Sequence, residues 1–442
     1  MSNLDDQARN ILQKNDRGGY TVPTARLYPY QWNWDSAFVA LGFLTFDRDR
    51  AWREVELLLE GQWQNGMIPS IIFRRDDPDY FPGPSVWQTQ TACESVPPIP
   101  STGISQPPVL ASIVLTMVQS GNEDDERRAK AIFDQVLKSH RWYQNERLSS
   151  VSNGVITVHP WETGRDNCPD WEPGLETMDI DPKLPHYERQ DTRHANPEQR
   201  PSKEQYDKFI SMVKYGREQN WNQKKITADG PFRMADPGIH FILLRAHRDL
   251  LTLAKLLNQT DAITEIEAFV TNGVSATDYF WNSAVGAFTA RNIVNGEFSN
   301  GVTSASALCF YADAGTENQR SKTIDNLMRI SDKVRYMLPS WDPDAQGFDP
   351  QRYWCGPVWP QMNYIISRGL EEQGYDNLAD KIRRDLLSLI EQSGFRECFN
   401  PLSGEGCLGD DFSWTAAIWL TLTSSNKPSS NKPSSGKQEM AA

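Results

Sequence analysis

The stretch DPGIHFILLRAHRDLLTLAKLL, residues 236–257, decides the fold. Asp236 followed by Pro237 is a helix start: the carboxylate can accept a bond from a first-turn amide, and proline suits the first helical position. Behind it, apolar residues cover most of the helix circumference, as in a helix buried between two layers. Outward from this segment, helix-period patterns recur at 34–44, 49–62, 107–120, 124–145, 201–215, 260–281, 318–331, 357–373, 378–392 and 413–422. Two of them have similar starts, Gly356-Pro357 before VWPQMNYIISRGL and Asp411 before FSWTAAIWL. Strand-like runs are short and few, at 67–73, 154–158 and 336–340. About a dozen helices with so little strand predict an all-α fold. The connections are aromatic, acidic and proline-rich, which fits an (α/α) toroid of paired inner and outer helices better than a plain bundle. One catalytic domain is expected over 1–423, with loops 70–106 and 163–205 folding over a pocket. From Ser424 the chain reads SSNKPSSNKPSSGKQEMAA, with an NKPSS repeat, and is expected to be disordered.

Composition narrows the function classes. No run among the 442 residues approaches 18 apolar positions, and MSNLDDQARNILQKND lacks the apolar core of a signal peptide. A cytoplasmic protein without a membrane partner is expected. A net charge of -13 argues against a nucleic-acid partner. The six cysteines are scattered, with no C-x-x-C pair or histidine cluster, so neither zinc nor any other metal is expected and the thiols should be reduced. There is no P-loop, no G-x-G-x-x-G after a strand and no G-x-S-x-G elbow. Fifteen tryptophans are more telling, because many adjoin hydrogen-bonding groups: WNWD at 32–35, QWQNG at 62–66, YWCGPVW at 353–359. Indoles beside polar groups suit a sugar, which has a C–H face and a rim of hydroxyls.

Carboxylates lie among these aromatics. In WETGRDNCPDW, 161–171, Glu162, Asp166 and Asp170 fall between Trp161 and Trp171. A helix would stack like charges at i, i+4 and i+8, and Gly164 and Pro169 also disfavour one, so a loop is predicted. Burial of central Asp166 against an indole would raise its pKa, as a general acid requires, provided Arg165 points away. In GFRECFNPLSGEGCLGDDFSW, 394–414, Asp411 reads as a helix N-cap and Glu405 as an exposed turn. Glu397, between Phe395 and Phe399 in an extended segment, is the better candidate base. Glycoside hydrolysis needs such a pair, one carboxyl protonated and one ionised. On residue types alone Asp166 stays open between a surface turn and an acid, and Arg200 between a surface ion pair and a cation for an anionic ligand.

The runs LYPYQWNWDSAF (27–38), GQWQNGMIPSIIF (61–73), TGISQPP (102–108), WETGRDNCPDW, RYWCGPVWP (352–360) and FRECFNP…SWTAA together resemble glycoside hydrolase family 63. The resemblance is nearest to its branch of glucosylglycerate and mannosylglycerate hydrolases, and it runs in order from about residue 17 to 422. It implies an (α/α)6 toroid and cofactor-free hydrolysis of glucosylglycerate, mannosylglycerate or both, with inversion. Asp166 matches the aspartate of W-E-[ST]-G-x-D-N, the general acid. Glu397 matches the glutamate of F-x-E-Y-[YF], the general base, with Cys398 standing where that motif has tyrosine. The implied sugar subsite is Tyr28, Trp32, Trp34, Asp35 and Gln106, walled by Trp161 and Trp359. The glycerate carboxylate would meet Arg200, Tyr206, Tyr353 and Trp354. Glu162 and Asp170 are then supporting or solvated, and Trp171 has no assigned role. The alternatives are a family 63 α-glucosidase acting on neutral glucosides, a sugar epimerase that would need paired histidines, and a toroid that binds sugar without turnover. The long loops leave room for contacts between copies in a homo-oligomer.

Overall fold

The structure, a computed structural model, describes residues 3–150, 152–189, 191–194 and 196–425. Its main helices are α1 (Asn3–Asn15), α2 (Asn33–Leu44), α3 (Arg48–Glu60), α4 (Leu110–Gln119), α5 (Glu123–Glu146), α6 (Lys203–Glu218), α7 (Pro237–Leu256), α8 (Thr260–Ala276), α9 (Leu308–Tyr311), α10 (Glu317–Ser331), α11 (Pro360–Glu372), α12 (Asp376–Ser393) and α13 (Ser413–Ser425). Six of them close a ring in which α2 packs on α4, α4 on α7, α7 on α9, α9 on α11, α11 on α13, and α13 on α2. An outer layer covers the ring. Here α3 lies on α2, α5 on α4, α8 on α7, α12 on α11, and α10 on the Ser304–Ala307 turn that leads into α9. The last inner helix, α13, takes its outer partner from the opposite end of the chain, α1. The fold is therefore an (α/α)6 toroid, and α2, buried at all positions but its last, shows why its inner members read as apolar all round.

Local signals explain most boundaries. Asp236 accepts a bond from Gly238 N at 2.7 Å, and Pro237 opens α7. Asn122 and Asp125 form a capping box at the start of α5. Two predicted starts move. Val358 exchanges both backbone bonds with Phe399, at 2.7 and 3.0 Å, so the chain stays extended past Pro357 and α11 begins at Pro360. Asp411 does not cap α13: it adopts φ +46° and ion-pairs with Lys14 at 2.6 Å, and the helix begins two residues later. Of the predicted strands, only Ile71–Ile72 and Ile156–Thr157 form ladders, while the third run contributes the single bridge from Pro339 to Val358.

Loops 70–106 and 163–205 meet over one end of the ring. The Phe81 and Tyr187 rings stack at 4.7 Å, 5° from parallel, and the Tyr206 hydroxyl donates to Phe81 O at 3.3 Å. Among the described residues no helix is long and apolar enough to cross a membrane. Residues 426–442 of the expected tail lie outside the described residues.

The ring is tight enough to reverse a usual sign. Gly369, inside α11, faces the Tyr311 backbone so closely that a Cβ would overlap it. Gly→Ala in a helix interior normally stabilises by ~1 kcal/mol. Gly369→Ala should instead destabilise the protein by about 1–3 kcal/mol, the usual cost of overpacking, as read by chemical denaturation.

Candidate active site

Beneath the two loops lies a cavity of about 1140 Å³ including its mouth, a size suited to a small molecule. Its wall gathers Tyr28, Trp32, Trp34, Asp35, Gln106, Trp161, Asp166, Arg200, Tyr206, Tyr353 and Glu397 from the expected set. It also includes residues the sequence did not single out: Arg26, Tyr80, Phe81, Trp87, Asp191, Phe412 and Trp414.

The acidic loop 161–171 resolves into three different carboxylates. Glu162 is buried in a forked pair with Arg147, its Oε1 2.9 Å from Nη2, and accepts from Ser105 N and Val158 N at 3.2 Å each. Asp170 is buried against Arg165 at 2.8 Å, and the other end of that guanidinium holds Asp236 at 2.7 Å. Arg165 thus turns away from Asp166 but into the protein body rather than toward solvent. Trp171 gains a role: Arg165 lies 4.7 Å over its ring, and its Nε1 donates to Arg165 O at 2.8 Å. Gly164 makes the bend at φ +68°, with Trp34 packed where a Cβ would stand. Only Asp166 is left to face the cavity. Its Oδ2 accepts from the Tyr353 hydroxyl at 3.3 Å. Loss of water pushes its pKa up to about 7, with Glu397 adding to the rise and Arg200 and the Tyr353 bond opposing it.

Glu397 enters from the hairpin of Cys398–Phe399 and Gly406–Cys407 and is fully buried. Oε1 accepts from the Tyr28 hydroxyl and Oε2 from Gly409 N, each at 3.1 Å. Burial raises its pKa, while Arg200 and these two donors work to keep it ionised. Strand alternation turns the Cys398 side chain to the opposite face, so the position where the resemblance has tyrosine does not line the cavity. Asp35, in the first turn of α2, is a third carboxyl here and is buried. Its Oδ1 has no protein partner, and burial, then Glu397, push its pKa well above the usual range.

Arg200 faces these groups at close range. Arg200 Nη1 donates to the Tyr28 hydroxyl at 3.1 Å, and its Cζ sits 4.3 Å over the Tyr353 ring. Nε donates to Asp191 at 2.9 Å, and Arg189 grips the same carboxylate at 3.0 and 2.7 Å. Burial would raise the Asp191 pKa, but the two guanidinium groups outweigh it and hold the group below its ordinary value. Asp191 lies in the charged run ERQDTRH, which carries no aromatic signal, and Tyr80, Phe81 and Trp87 lie in a stretch recognised only as a loop.

Two expected contacts are displaced. Trp354 and Trp359 stack on each other at 3.9 Å and 3°, and Trp354 lies 6.5 Å behind Trp34. Neither lines the cavity. Trp354 adopts φ +60°, which turns its ring into the core, so the pair buttresses the wall instead of forming it. Tyr206 lines the cavity with its ring while its hydroxyl joins the loops. Among the described residues no group of three or more His, Cys, Asp or Glu is arranged to hold a metal.

Known proteins match this chain along nearly all its length. The mannosylglycerate hydrolase MGH1-like glycoside hydrolase domain matches residues 28–415. The mannosylglycerate hydrolase of Thermus thermophilus is 39% identical over 420 residues, covering 94% of this chain and 100% of that protein. The glucosylglycerate hydrolase of Mycolicibacterium hassiacum is 29% identical over 443 residues, covering 94% and 97%. A crystal structure of the GH63 mannosylglycerate hydrolase from a second strain of Thermus thermophilus, with Tris and D-glycerate, superposes with a TM-score of 0.90, at 39% identity, covering 95% of this chain and 100% of that one.

The balance at Asp166 sets a direction that can be measured. The Tyr353 bond favours the ionised form, so Tyr353→Phe should move the Asp166 titration upward from about 7. Carboxyl-carbon NMR of wild type and variant checks this, and a downward or absent shift would contradict it.

Proposed function

The chain belongs to the mannosylglycerate hydrolase MGH1-like glycoside hydrolases, and we propose that it hydrolyses a hexosylglycerate to the free hexose and D-glycerate, with inversion at the anomeric carbon. The higher identity to a mannosylglycerate hydrolase than to a glucosylglycerate hydrolase favours mannosylglycerate as first substrate. The observation that carries the reading is the meeting of Asp166 and Glu397 in one aromatic cavity, each bonded to its own phenol and not to the other.

The chemistry follows from their surroundings. With a pKa of about 7, Asp166 holds a proton through much of the neutral range and delivers it to the glycosidic oxygen as that bond breaks. Glu397, held toward the anion by Tyr28 and Gly409 N–H, takes a proton from the water that attacks the opposite face of the sugar. Room for that water calls for carboxylates ~6.5–9.5 Å apart. Trp32, Trp34 and Trp161 offer flat walls to the C–H face of the sugar, and the unpartnered Asp35 Oδ1 is placed to bind hydroxyls. Arg200 supplies a guanidinium for the glycerate carboxylate, with the Tyr353 and Tyr206 rings beside it. Asp191 and Arg189 keep that guanidinium in place.

Proton NMR of the first seconds of turnover tests inversion: the α-linked substrate should release the β-hexose first, and first-formed α-hexose would overturn it. Asp166→Asn and Glu397→Gln should each lower kcat by about 10²–10⁴-fold with the fold intact by circular dichroism. Arg200→Ala should depress kcat/KM on mannosylglycerate far more than on a neutral aryl glycoside. Equal losses on the two would point to a neutral α-glucoside as the natural substrate.

A further inference from the structure

Cys398 and Cys407 face each other directly across the antiparallel hairpin that bears Glu397. Nearby bonds establish the kind of pair they form. Asn400 N donates to Glu405 O at 2.8 Å, while Phe399 sends both its backbone groups outward to Val358. The 398/407 position lies two residues along from 400/405, so it is likewise of the type whose backbones bond to each other, with both side chains on one face. Cα atoms in such a pair stand ~5.5 Å apart, inside the ~4.4–6.8 Å range of disulfides. Opposite residues of a regular antiparallel pair hold their Cβ atoms ~4.5–5.5 Å apart, so these must still close to ~3.8 Å for the bond to form. The two thiols lie close enough for Cys407 to help raise the Cys398 pKa, and both are buried.

We propose that Cys398 and Cys407 form a reversible cross-strand disulfide that lowers turnover by pulling the hairpin, and with it Glu397, out of place. The oxidant is hydrogen peroxide. Cys407 reacts first, because Gly406 and Leu408 on either side of it are half-exposed whereas Cys398 lies among buried neighbours. Its thiol gives up its proton, the thiolate attacks one peroxide oxygen, the O–O bond breaks, and the hydroxide that leaves takes up that proton, giving a sulfenic acid and water. The Cys398 sulfur then attacks the oxidised sulfur and expels hydroxide, which takes the Cys398 proton and leaves as water. In sum, two thiols and one hydrogen peroxide give one disulfide and two waters. Burial pushes the Cys398 thiol up, which makes the reaction slow and tied to sustained oxidation.

The consequence for catalysis is local. Glu397 precedes Cys398, and Gly409 follows Cys407 by two residues. Gly409 O accepts from Glu397 N at 2.8 Å, and Gly409 N donates to the Glu397 carboxylate at 3.1 Å. Drawing the strands together displaces both ends of this clasp. A disulfide strained in this way is also easily reduced, which makes the change reversible.

Hydrogen peroxide treatment of the full chain tests the proposal. Cleavage after Glu405, which lies between the two cysteines, should leave fragments that remain joined until dithiothreitol separates them. Joining should accompany a fall in kcat of about tenfold or more with KM little changed, restored by dithiothreitol. Cys407→Ser, and Cys398→Ser as a second variant, should keep their untreated activity and lose little of it to peroxide. Fragments that separate without reductant, full kcat in the joined enzyme, or equal inactivation of the serine variants would each overturn it. The fragment readout needs no substrate, whereas the activity arm rests on the hexosylglycerate reading. Untreated enzyme that fails to turn over mannosylglycerate would sink that reading and leave the cross-link standing.

Discussion

Three carboxyl groups, the buried Asp35 and Glu397 and the half-buried Asp166, share one cavity wall with the buried guanidinium of Arg200. Like charges out of water cannot all ionise, so this crowding sets the protonation states on which any acid–base chemistry here depends. The fold softens the conflict. Asp35 lies in the first turn of α2, Gln106 precedes α4, Asp236 caps α7, Tyr353 precedes α11, and Glu397 lies beside the start of α13. The inner helices therefore present their N-terminal ends to the same region, where backbone dipoles favour negative charge by ~0.3–1 kcal/mol each.

Rigidity around Asp166 comes from ion pairs that never touch the cavity. Arg147–Glu162 anchors the loop on one side, and Arg165 with Asp170 and Asp236 anchors it on the other. Such pairs add little net stability when buried, because desolvation offsets attraction, but each fails badly if one partner is lost. Their value is geometric. They tie the loop bearing Asp166 to the cap of the inner helix α7.

The parts of this arrangement that were legible in the sequence are those with strong local signals. Eleven helix-period segments stood out, and α7 was plain from Asp236-Pro237 and its apolar girth. One outer helix and one ring member were not seen. α1 shows only a thin apolar stripe around Ala8, Ile11 and Leu12, and the fourth inner helix is a serine-rich turn followed by four residues. The first buries a stripe interrupted by Asp5 and Asn15, and the second is too short to show a helical period. In the cavity, aromatic motifs led to Trp32, Trp34 and Trp161, but Trp354 and Trp359 could not be told from wall residues. The backbone turn that hides Trp354 is invisible in the residue types. Asp191 escaped because its importance lies wholly in which two arginines it holds together.

The pairing of α1 with α13 has one more consequence. The ring has a seam, and the seam runs through the machinery: Asn15 bonds to Ser413, Thr24 to Asp410, and Tyr28 to Glu397. Contacts that span nearly the whole chain are the slowest to form and the last to be rewarded. During synthesis the acid loop and five inner helices emerge while the carboxylate opposite Asp166 has yet to be made. No partly built chain can hold the site, so a molecule that turns over substrate has, by that fact, already joined its beginning to its end.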